Sequence, residues 1–517
     1  MTEIFADNIA QFRDINVVWF KRDLRIRDNK VLCDASARGQ ILPLYILEPD
    51  LWLQKDMSYR HFKFLEDAID SLKRDLQSKN SDLVIKVGNA VDVFSYLKKK
   101  YKKITLWSHK ETWNGWTYQR DKIVGEWAKV NNIDWIEYKR NGVVRGLQNR
   151  DGWSKQWYTE MKMPICELTV NIQTTVEPSD PLPSAENLSL EFDGLVKSQR
   201  GSREEAERLL NEFLNKSGKN YSTQMSSPLT AHDSCSRLSA YIAFGIVSIR
   251  EVFQALELNK LRLKDLDKDS RNIWNRSYKS FSSRLRWHCH FIQKMEDQPQ
   301  IEFSNLHSAY DEIRENKFDY AKFHSWKFGN TGFPMVDACM RSLIATGWLN
   351  FRMRAMLISF ASYHLWLHWR ETSLWLAKLF VDYEPGIHYS QVQMQSGTTG
   401  INTIRIYNPV KQGNDHDPEG IFVKTWLPEL SDISKEYIHT PWLSPVSAKG
   451  YLDPIVNELS ARKLAAKAVY EIRKNSDFKK LAKNIYVKHG SRKRSKLKFG
   501  ISKNKKSEII HQEELPL

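Results

Sequence analysis

The stretch FVDYEPGIHYSQVQMQSG carries three side chains that can move protons or hold a polar ligand. Asp382, Glu384 and His388 lie two and four residues apart around a Pro-Gly pair. Upstream, Arg352 and Arg354 lie in an otherwise apolar segment, RMRAMLISFASYHLWLHW, whose spacing predicts a helix. A buried arginine–carboxylate pair is costly unless further hydrogen bonds share it. An extended planar polar ligand would share such a pair well, whereas an ordinary interhelical ion pair explains the same residues without any ligand.

A second polar segment, SRLS, covers residues 236–239 just before or at the start of a predicted helix. The free N–H groups and the positive end of a helix can receive a phosphate. The chain has no Walker loop, no GxSxG elbow and no GxGxxG after its first apolar run. The sequence therefore does not indicate a P-loop nucleotide site, an α/β-hydrolase or a nicotinamide dinucleotide site.

Histidine pairs raise the question of a metal. His288 and His290 are two residues apart and so point to different faces of a helix, whereas His364 and His368 are four apart on one face. No third ligand follows at a fixed spacing, and apolar residues surround both pairs. Packing within helices is the better explanation, and we expect no metal site.

The net charge points to a polyanionic partner. The chain has 517 residues, a formal net charge of +16 and a pI of about 9.3. Much of this charge lies near the carboxyl terminus, without an intervening acid, in Lys479, Lys480, Lys483, Lys488, Arg492, Lys493, Arg494, Lys496, Lys498, Lys503, Lys505 and Lys506. Attraction to nucleic-acid phosphates explains such a segment economically. A solvated tail that only aids solubility is the alternative.

The composition also predicts a compartment. No apolar run approaches the roughly 20 residues that span a bilayer, and the amino terminus lacks the pattern of a secretion signal. Five scattered cysteines form neither a disulfide framework nor a CxxC pair. We expect a cytoplasmic protein that is not attached to a membrane.

The pattern of elements predicts α/β plus all-α architecture. INVVWF, ILPLYIL, LVIKVG, KITLWS and IDWIEY are of strand length and alternate with amphipathic segments such as YRHFKFLEDAIDSLKRDLQ. This alternation favours a doubly wound parallel sheet with helices on both faces. From about residue 202 the strand signals disappear and one helical segment follows another. We predict an α/β domain over 1–140, a linker over 141–201, a helical domain over 202–475 and a basic tail over 476–517.

Several motifs in order resemble the photolyase/cryptochrome family over nearly the whole chain. They are VVWFKRDLRIRDNKVL, SRLSAYIAFGIVSIREV, GNTGFPMVDACMRSLIATGWLNFRMRAM and RIYNPVKQGNDHDPEGIFVKTWLPEL. The resemblance implies FAD bound in the helical domain. It also allows an antenna chromophore, of folate or flavin/deazaflavin type, in the N-terminal domain. UV-damaged DNA is the implied partner, and we expect a monomer.

The resemblance assigns roles position by position. The residues it implies for FAD binding are Tyr221, Ser236, Arg237, Leu238, Ser239, Phe281, Arg354, Asp382, Glu384 and His388. Arg354 and Asp382 match an Arg–Asp pair against the isoalloxazine ring, and His388 matches the residue that faces flavin N5, usually Asn in photolyases. Trp287 matches the tryptophan beside the flipped-out lesion, and Trp369 matches one member of the electron-relay triad. We predict Trp287, Arg284, His388 and Trp369 as the catalytic set.

The chain also departs from the family's patterns. Arg284 replaces the glutamate of cyclobutane-dimer photolyases, and Phe351 and Ala355 replace their asparagine and methionine. The same two positions hold the catalytic histidines of (6-4) photolyases. Val392 stands at the flavin-proximal position of the tryptophan triad, so that Trp348, Trp366 or Trp375 would have to serve in a different relay. The flavin core, Trp287 and the basic charge favour a light-driven DNA photolyase. The substituted lesion pocket and tryptophan triad favour the alternative, a cryptochrome-type photoreceptor, and a non-repairing flavoprotein that binds nucleic acid is a third hypothesis.

Overall fold

The first third of the chain folds around a parallel sheet in which the order of the strands is β3-β2-β1-β4-β5. This computed structural model describes residues 14–168, 172–315 and 318–490. The strands are β1 (Asp14–Phe20), β2 (Ile41–Leu47), β3 (Val84–Val87), β4 (Lys103–Lys110) and β5 (Asp134–Lys139). Each coincides with a predicted apolar run, and all seven residues of β2 are buried, as expected for a strand covered on both faces.

Helices flank this sheet on both sides, which confirms the predicted α/β class. They are α1 (Lys30–Arg38), α2 (Pro49–Trp52), α3 (Tyr59–Gln77), α4 (Ala90–Lys100), α5 (Gly115–Val130) and, after the sheet, α6 (Trp153–Met161). Because the strand order reverses beside β1, the carboxyl ends of β1 and β4 border a crevice of the kind in which α/β proteins bind ligands.

The remainder is helical, and its described residues contain no strand. The helices are α7 (Arg203–Asn215), α8 (Tyr221–Gln224), α9 (Pro228–Ser234), α10 (Ser239–Ala243), α11 (Ile249–Arg262), α12 (Lys268–Asp297), α13 (Tyr320–Lys327), α14 (Pro334–Thr346), α15 (Phe351–Ser359), α16 (Trp369–Leu379), α17 (Pro385–Ser396), α18 (Pro409–His416), α19 (Ile421–Trp426), α20 (Glu458–Ile472) and α21 (Ser476–His489). The predicted all-α second domain is confirmed. No helix within the described ranges is both long enough and apolar enough to cross a membrane.

The predicted single helix over residues 352–369 is wrong. Helix α15 ends at Ser359, a π-helical turn follows at Phe360–His364, and the chain starts a new helix only at Trp369. Trp366 takes a left-handed backbone conformation with φ of 56°. The break separates His364 from His368, so they do not share a helix face, and each lies against its own acid, Glu458 and Glu315 respectively.

Two helices of the second domain approach each other unusually closely at one glycine. Pro385 is the first residue of α17, where its fixed φ suits a helix start, and Gly386 follows it within the helix. A Cβ atom on Gly386 would lie 2.6 Å from Ile292 Cα of α12. Pro385 and Gly386 therefore form no turn between Glu384 and His388; they start α17 and let it pack against α12.

The two domains meet just after β1, where arginine side chains donate to backbone carbonyls of the helical domain. Arg22 Nε donates to Ala243 O at 3.1 Å, and Arg25 Nη1 donates to Gly245 O at 3.0 Å. Gly245 has a φ of 73°, and a Cβ there would lie 2.1 Å from Arg22 O. This junction fixes α10 relative to the sheet.

The segments on either side of the helical domain contain more structure than a linker and a tail. Within 141–201, α6 buries Trp153, Trp157 and Met161. Within 476–517, α21 buries Phe478 and Ile485 and carries Lys479, Lys480, Lys483 and Lys488. The remaining basic residues of the predicted tail, from Arg492 to Lys506, lie outside the described residues.

Candidate functional site

Arg354 and Asp382 form a two-pronged ion pair between α15 and the connection that precedes α17. Arg354 Nη1 and Nη2 donate to the two carboxylate oxygens of Asp382, each at 2.9 Å. Burial raises the pKa of Asp382, but the Arg354 charge and hydrogen bonds outweigh burial and hold that pKa below its usual value. Although the pair lies deep, 21% of the Arg354 side chain remains accessible. An accessible charged group in the interior faces a cleft rather than packed protein.

The SRLS segment lies beside this pair. Helix α10 begins at Ser239, which agrees with the predicted helix start, and Ser239 lies close enough to Asp382 to help lower the pKa of that carboxyl group. Arg237 has a φ of 56°, a strained conformation for a residue with a Cβ. Its guanidinium lies 4.1 Å from the ring centroid of Trp348 and donates to Gln199 Oε1 at 3.2 Å. Leu238 is buried and Ser236 is half-buried.

Tyr221, Phe281 and Arg284 lie together where α8 meets α12. The rings of Tyr221 and Phe281 lie 5.9 Å apart and share a contact with Phe213. Burial raises the pKa of Tyr221 to about 12, while the nearby Arg284 charge acts in the opposite direction. Arg284 and Phe281 are one turn apart on α12, so this helix brings a cation and an aromatic ring to one face.

Glu384 is buried without a hydrogen-bond partner for either carboxylate oxygen among the described residues. Only 3% of its surface is exposed. Burial raises its pKa to about 7, with Arg140 and Arg22 acting against that rise. Glu384 does not pair with Arg352 or Arg354. A buried carboxyl group in this state needs a donor from outside the protein, such as an N–H group of a ligand.

His388 is neutral at pH 7 and has a defined orientation. Burial lowers its pKa to about 4, and its Nε2 lies 2.9 Å from the backbone oxygen of Ser373. Because a carbonyl can only accept, Nε2 carries the proton and Nδ1 is an acceptor. Arg354 and Asp382 both lie near enough to influence the pKa of His388, which places this ring beside the ion pair.

Helix α12 connects the ion pair to Trp287. His288, the next residue, is half-buried; its Nδ1 is buried without a partner among the described residues, and Asp382 is among the charges that act on its pKa. Trp287 is half-buried and contacts the rings of His290 and Phe291, at 5.8 and 5.5 Å. The same helix therefore carries groups at the bottom of the cleft and an aromatic ring near its rim.

Trp369 lies farther from the pair. Its Nε1 donates to Asn305 Oδ1 at 2.7 Å, and its ring centroid is 6.4 Å from that of Tyr389. Tyr389 in turn lies 5.3 Å from the ring of His388. Val392 is fully buried. The structure thus connects Trp369 to His388 through Tyr389, whereas Val392, at the position expected for the flavin-proximal tryptophan, has no aromatic ring.

Sequence reasoning missed several residues that contribute to this cleft. Gln199, Arg140 and Tyr389 gave no signal. Gln199 lies in the predicted linker, Arg140 is the last residue of the predicted α/β domain, and Tyr389 lies among residues of mixed type. Trp348, which stacks on Arg237, was considered only as a relay residue. Trp348 follows Gly347 and lies six residues before Arg354, and this position in the motif could have indicated a place beside the cleft.

The crevice at the carboxyl ends of β1, β2 and β4 contains a separate charged network. Arg120 of α5 binds Glu48, Glu111 and, through Nε at 2.9 Å, Asp121. Toward the helical domain, however, Thr112 Oγ1 and Trp113 Nε1 are buried without partners among the described residues. The network neutralises one side of the crevice and leaves unpaired polar atoms on the other.

Comparison with known proteins agrees with this geometry. Residues 281–471 match the family model described as the FAD binding domain of DNA photolyase, and residues 16–164 match the model described as DNA photolyase. The chain belongs to the photolyase/cryptochrome family. Family membership explains the order of the domains and the position of the cleft between α10, α12, α15 and α17.

Members with different functions are similar to this chain at nearly the same level. Cryptochrome-2 of Arabidopsis thaliana is 29% identical over 502 residues, which cover 88% of this chain and 79% of that protein. Deoxyribodipyrimidine photo-lyase of Escherichia coli is 26% identical over 487 residues, with 88% and 98% covered. The crystal structure of an archaeal photolyase from Sulfolobus tokodaii with two FAD molecules superposes with a TM-score of 0.72 at 24% identity, covering 88% and 100%.

The residues of the cleft fit FAD. The unpaired Glu384 carboxyl group and His288 Nδ1 require polar partners, and the accessible Arg354–Asp382 pair provides charge and hydrogen-bonding capacity beside them. Arg237 Nε is likewise buried without a partner among the described residues, next to the SRLS backbone. Ligand N–H groups, carbonyl oxygens and phosphates would satisfy these atoms. The chain carries an FAD-binding domain of the photolyase type, and its polar atoms suit that cofactor.

Proposed function

We propose that this protein is a light-driven DNA photolyase that uses reduced FAD to split UV-induced pyrimidine dimers. The observation that carries the proposal is the arrangement along α12, where Trp287 lies next to His288 and His288 lies within reach of the Asp382 charge. An aromatic ring that can stack on a flipped base is thus one residue away from the cofactor cleft. Base–aromatic stacking stabilises unstacked nucleotides in many nucleic-acid sites.

The side chains of the cleft would hold and tune the cofactor. Arg354 would balance the negative charge of a reduced flavin, and Asp382 would fix the orientation of Arg354. Glu384, with two unpaired oxygens, would accept from a ring N–H group, and the neutral His388 would present Nδ1 as an acceptor. The chemistry that FAD supplies when bound is light-driven transfer of one electron to the dimer and its return. The protein's contribution is to position, charge-balance and shield the reacting pair.

The test is direct. Purified protein is reduced, mixed with oligonucleotides that carry a cyclobutane dimer or a (6-4) product, and illuminated with blue light. We expect light-dependent loss of one of the two lesions, measured by chromatography of the digested DNA, and no loss in the dark. No repair of either lesion, in single or double strands, would overturn the proposal.

A cryptochrome-type photoreceptor is the second candidate, and a specific observation favours it. Phe351 and Ala355 replace the residues that both standard types of photolyase use at the lesion, and Arg284 replaces the glutamate of cyclobutane-dimer photolyases. If this substituted pocket signals rather than repairs, FAD photoreduction in the purified protein persists while neither lesion is repaired. The combination of the two assays separates the candidates.

We also propose the place of an antenna chromophore. Thr112 Oγ1 and Trp113 Nε1 are buried and unpaired where the α/β domain faces α12, and the similar Sulfolobus tokodaii protein was crystallised with two FAD molecules. Support for the proposal would be a fluorescence excitation band that is not due to the catalytic FAD and that Trp113→Phe weakens. Identical excitation spectra of the protein and of free FAD would contradict it.

A further inference from the structure

Beyond Trp287, α12 carries a group of basic side chains that the cofactor cleft does not use. We call Arg150, His290, Lys294 and His489 the basic cluster. Its members come from three parts of the chain: the segment before α6, the carboxyl-terminal half of α12, and the last residue of α21. Exposure is only 5% for Arg150, 8% for Lys294 and 1% for His489.

Hydrogen bonds hold three members of the basic cluster in place. Arg150 Nε and Nη2 donate to Asp297 Oδ2 at 3.0 and 2.9 Å, and its Nη1 donates to His290 Nδ1 at 3.0 Å. His489 Nε2 lies 2.9 Å from Gln298 Oε1, so it carries a proton and donates. The cluster is therefore a built structure rather than a set of mobile surface chains.

Lys294 is the exception, because no acid or hydrogen-bond acceptor contacts its ammonium group among the described residues. Its Nζ lies 5.1 Å from the ring centroid of Phe291. Burial, with the charge of Arg150 adding to it, lowers the pKa of Lys294 to about 7. A buried amine without a counter-charge is rarely retained for packing alone, because an apolar side chain would fill the space at lower cost.

The open edge of the basic cluster lies next to Trp287. The Trp287 ring is 5.8 Å from His290 and 5.5 Å from Phe291, and Phe291 is the ring that Lys294 approaches. Trp287, His290 and Lys294 thus follow one another along the same side of α12. Gln298, which His489 and Lys488 contact, comes next, and the described chain ends two residues after Lys488.

We infer that the basic cluster binds a phosphate group of a nucleic-acid strand, with Lys294 supplying the charge that the phosphate neutralises and Trp287 stacking on a neighbouring base. The inference rests on the proposed function for the identity of the strand. The ligand chemistry follows from Lys294, whose ammonium group has no counter-charge among the described residues, and from His290, which accepts from Arg150 through Nδ1 and therefore carries its proton on Nε2, where it can donate to an anion.

This arrangement makes binding depend on pH in a defined direction. Arg150 is the charged group that acts on Lys294, and Arg150 itself is paired with Asp297. Arg286 acts on His290 and Lys488 of α21 acts on His489; both histidines are neutral because burial and the surrounding cations lower their pKa values. A bound phosphate raises the pKa of Lys294 again. Binding therefore takes up a proton above about pH 7, and the affinity falls as the pH rises from 7 toward 9.

The experiment measures binding of the full-length protein to an undamaged single-stranded oligonucleotide in the dark, by fluorescence anisotropy, over a range of salt and pH. Lys294→Met removes the charge, Lys294→Arg keeps it at every pH, and Lys129→Met, an exposed lysine of α5, is the matched control. For Lys294→Met we expect about tenfold weaker binding at pH 7 and a salt slope reduced by about 0.7, the value for one phosphate contact on a single strand. Lys294→Arg should keep the slope but lose the dependence on pH, and Lys129→Met should behave like the wild type.

Several outcomes would overturn the inference. A wild-type slope and pH profile in Lys294→Met would remove Lys294 from the interface, and if that variant does not fold, a wild-type pH profile in Lys294→Arg would do the same. Inorganic phosphate at matched ionic strength is the competitor. If inorganic phosphate competes with the oligonucleotide while Lys294→Met keeps the wild-type salt slope, the basic cluster binds free phosphate and not a nucleic-acid strand. Because this assay involves neither light nor lesion, failure of repair and failure of this inference are separate results.

Discussion

Arg354 Nη1 donates to Asp382 Oδ1 and Arg354 Nη2 donates to Asp382 Oδ2, each at 2.9 Å, and this pair connects α15 to the turn before α17. The same turn contains Glu384, whose oxygens have no partner among the described residues. Three residues thus combine a satisfied charge pair with an unsatisfied carboxyl group beside an accessible cleft. That combination is what a charged, hydrogen-bonding cofactor requires.

Breaking the pair should remove the cofactor. Asp382→Asn leaves the Arg354 charge without its partner, and we expect protein that purifies mostly colourless and is destabilised by about 3 kcal/mol. The measurements are the ratio of absorbance at the flavin band to that of the protein and a urea titration. Asp233→Asn, at a position that is 88% exposed, is the control and should change neither. A yellow Asp382→Asn protein of wild-type stability would contradict the assigned role.

The close approach of α12 and α17 gives a stability prediction. In Gly386→Ala the new methyl group would lie 2.6 Å from Ile292 Cα, and overpacking of this kind costs about 1–3 kcal/mol. Gly125→Ala in α5 is the matched control, because its methyl group would meet Trp135 at an ordinary 3.5 Å and should stabilise by about 0.5–1 kcal/mol. Urea denaturation measures the unfolding free energy of both variants. If Gly386→Ala is as stable as Gly125→Ala, α17 can move away from α12 at little cost, and the predicted overpacking is wrong.

The neutral state of His388 predicts a dependence of stability on pH. Its pKa is about 4 in the folded protein and about 6.5 in an unfolded chain. The unfolded state therefore binds more protons between these values, and stability falls as the pH drops from 6.5 toward 4. At pH 5 this one group accounts for a loss of about 2 kcal/mol relative to pH 7.

His388→Asn should remove that part of the loss. Unfolding free energies at pH 7 and 5 measure it, with the exposed His324→Asn as the control. Other buried histidines, including His61, whose pKa burial lowers to about 4, keep the remaining dependence in both variants. An unchanged difference between pH 7 and 5 in His388→Asn would mean that this ring is charged or solvated in the folded protein.

Trp287 should determine the preference for damaged DNA. Stacking of a base on an aromatic ring contributes about 1–3 kcal/mol, so Trp287→Ala should lower affinity for an oligonucleotide with a dimer by about tenfold or more. Affinity for undamaged duplex should change little, because that binding rests on phosphate contacts. Trp442→Ala, at a position that is 37% exposed, is the control. Equal losses for damaged and undamaged DNA would indicate a structural role for Trp287.

The basic segment after α21 should contribute to binding of any DNA. Truncation after Gly490 removes residues 491–517 and leaves α21, which packs against the helical domain, intact. We expect weaker binding and a flatter salt dependence, as measured by anisotropy from low to physiological salt. An unchanged slope would leave the segment with a role in solubility alone.

The sequence predicted the sheet and the larger helices well, because each strand is a continuous apolar run and each long helix has one apolar face. It predicted the Arg354–Asp382 pair through residue type and spacing together with the family resemblance. It did not predict the π-helical turn at Phe360–His364, since the apolar pattern continues through it. Nor could it show that Gly386 serves close packing against Ile292, or that Lys294 is buried without a counter-charge. Both depend on contacts between distant segments.

The FAD content of the wild-type protein tests the central claim most directly. The protein is purified in the dark, its cofactor is released by denaturation, and the released flavin is identified and quantified by chromatography. Our account predicts FAD at about one molecule per chain, and recovery of the same amount when FAD is added back to the cofactor-free protein. A folded wild-type protein that contains no flavin and does not bind added FAD would contradict the assignment of the cleft around Arg354 and Asp382.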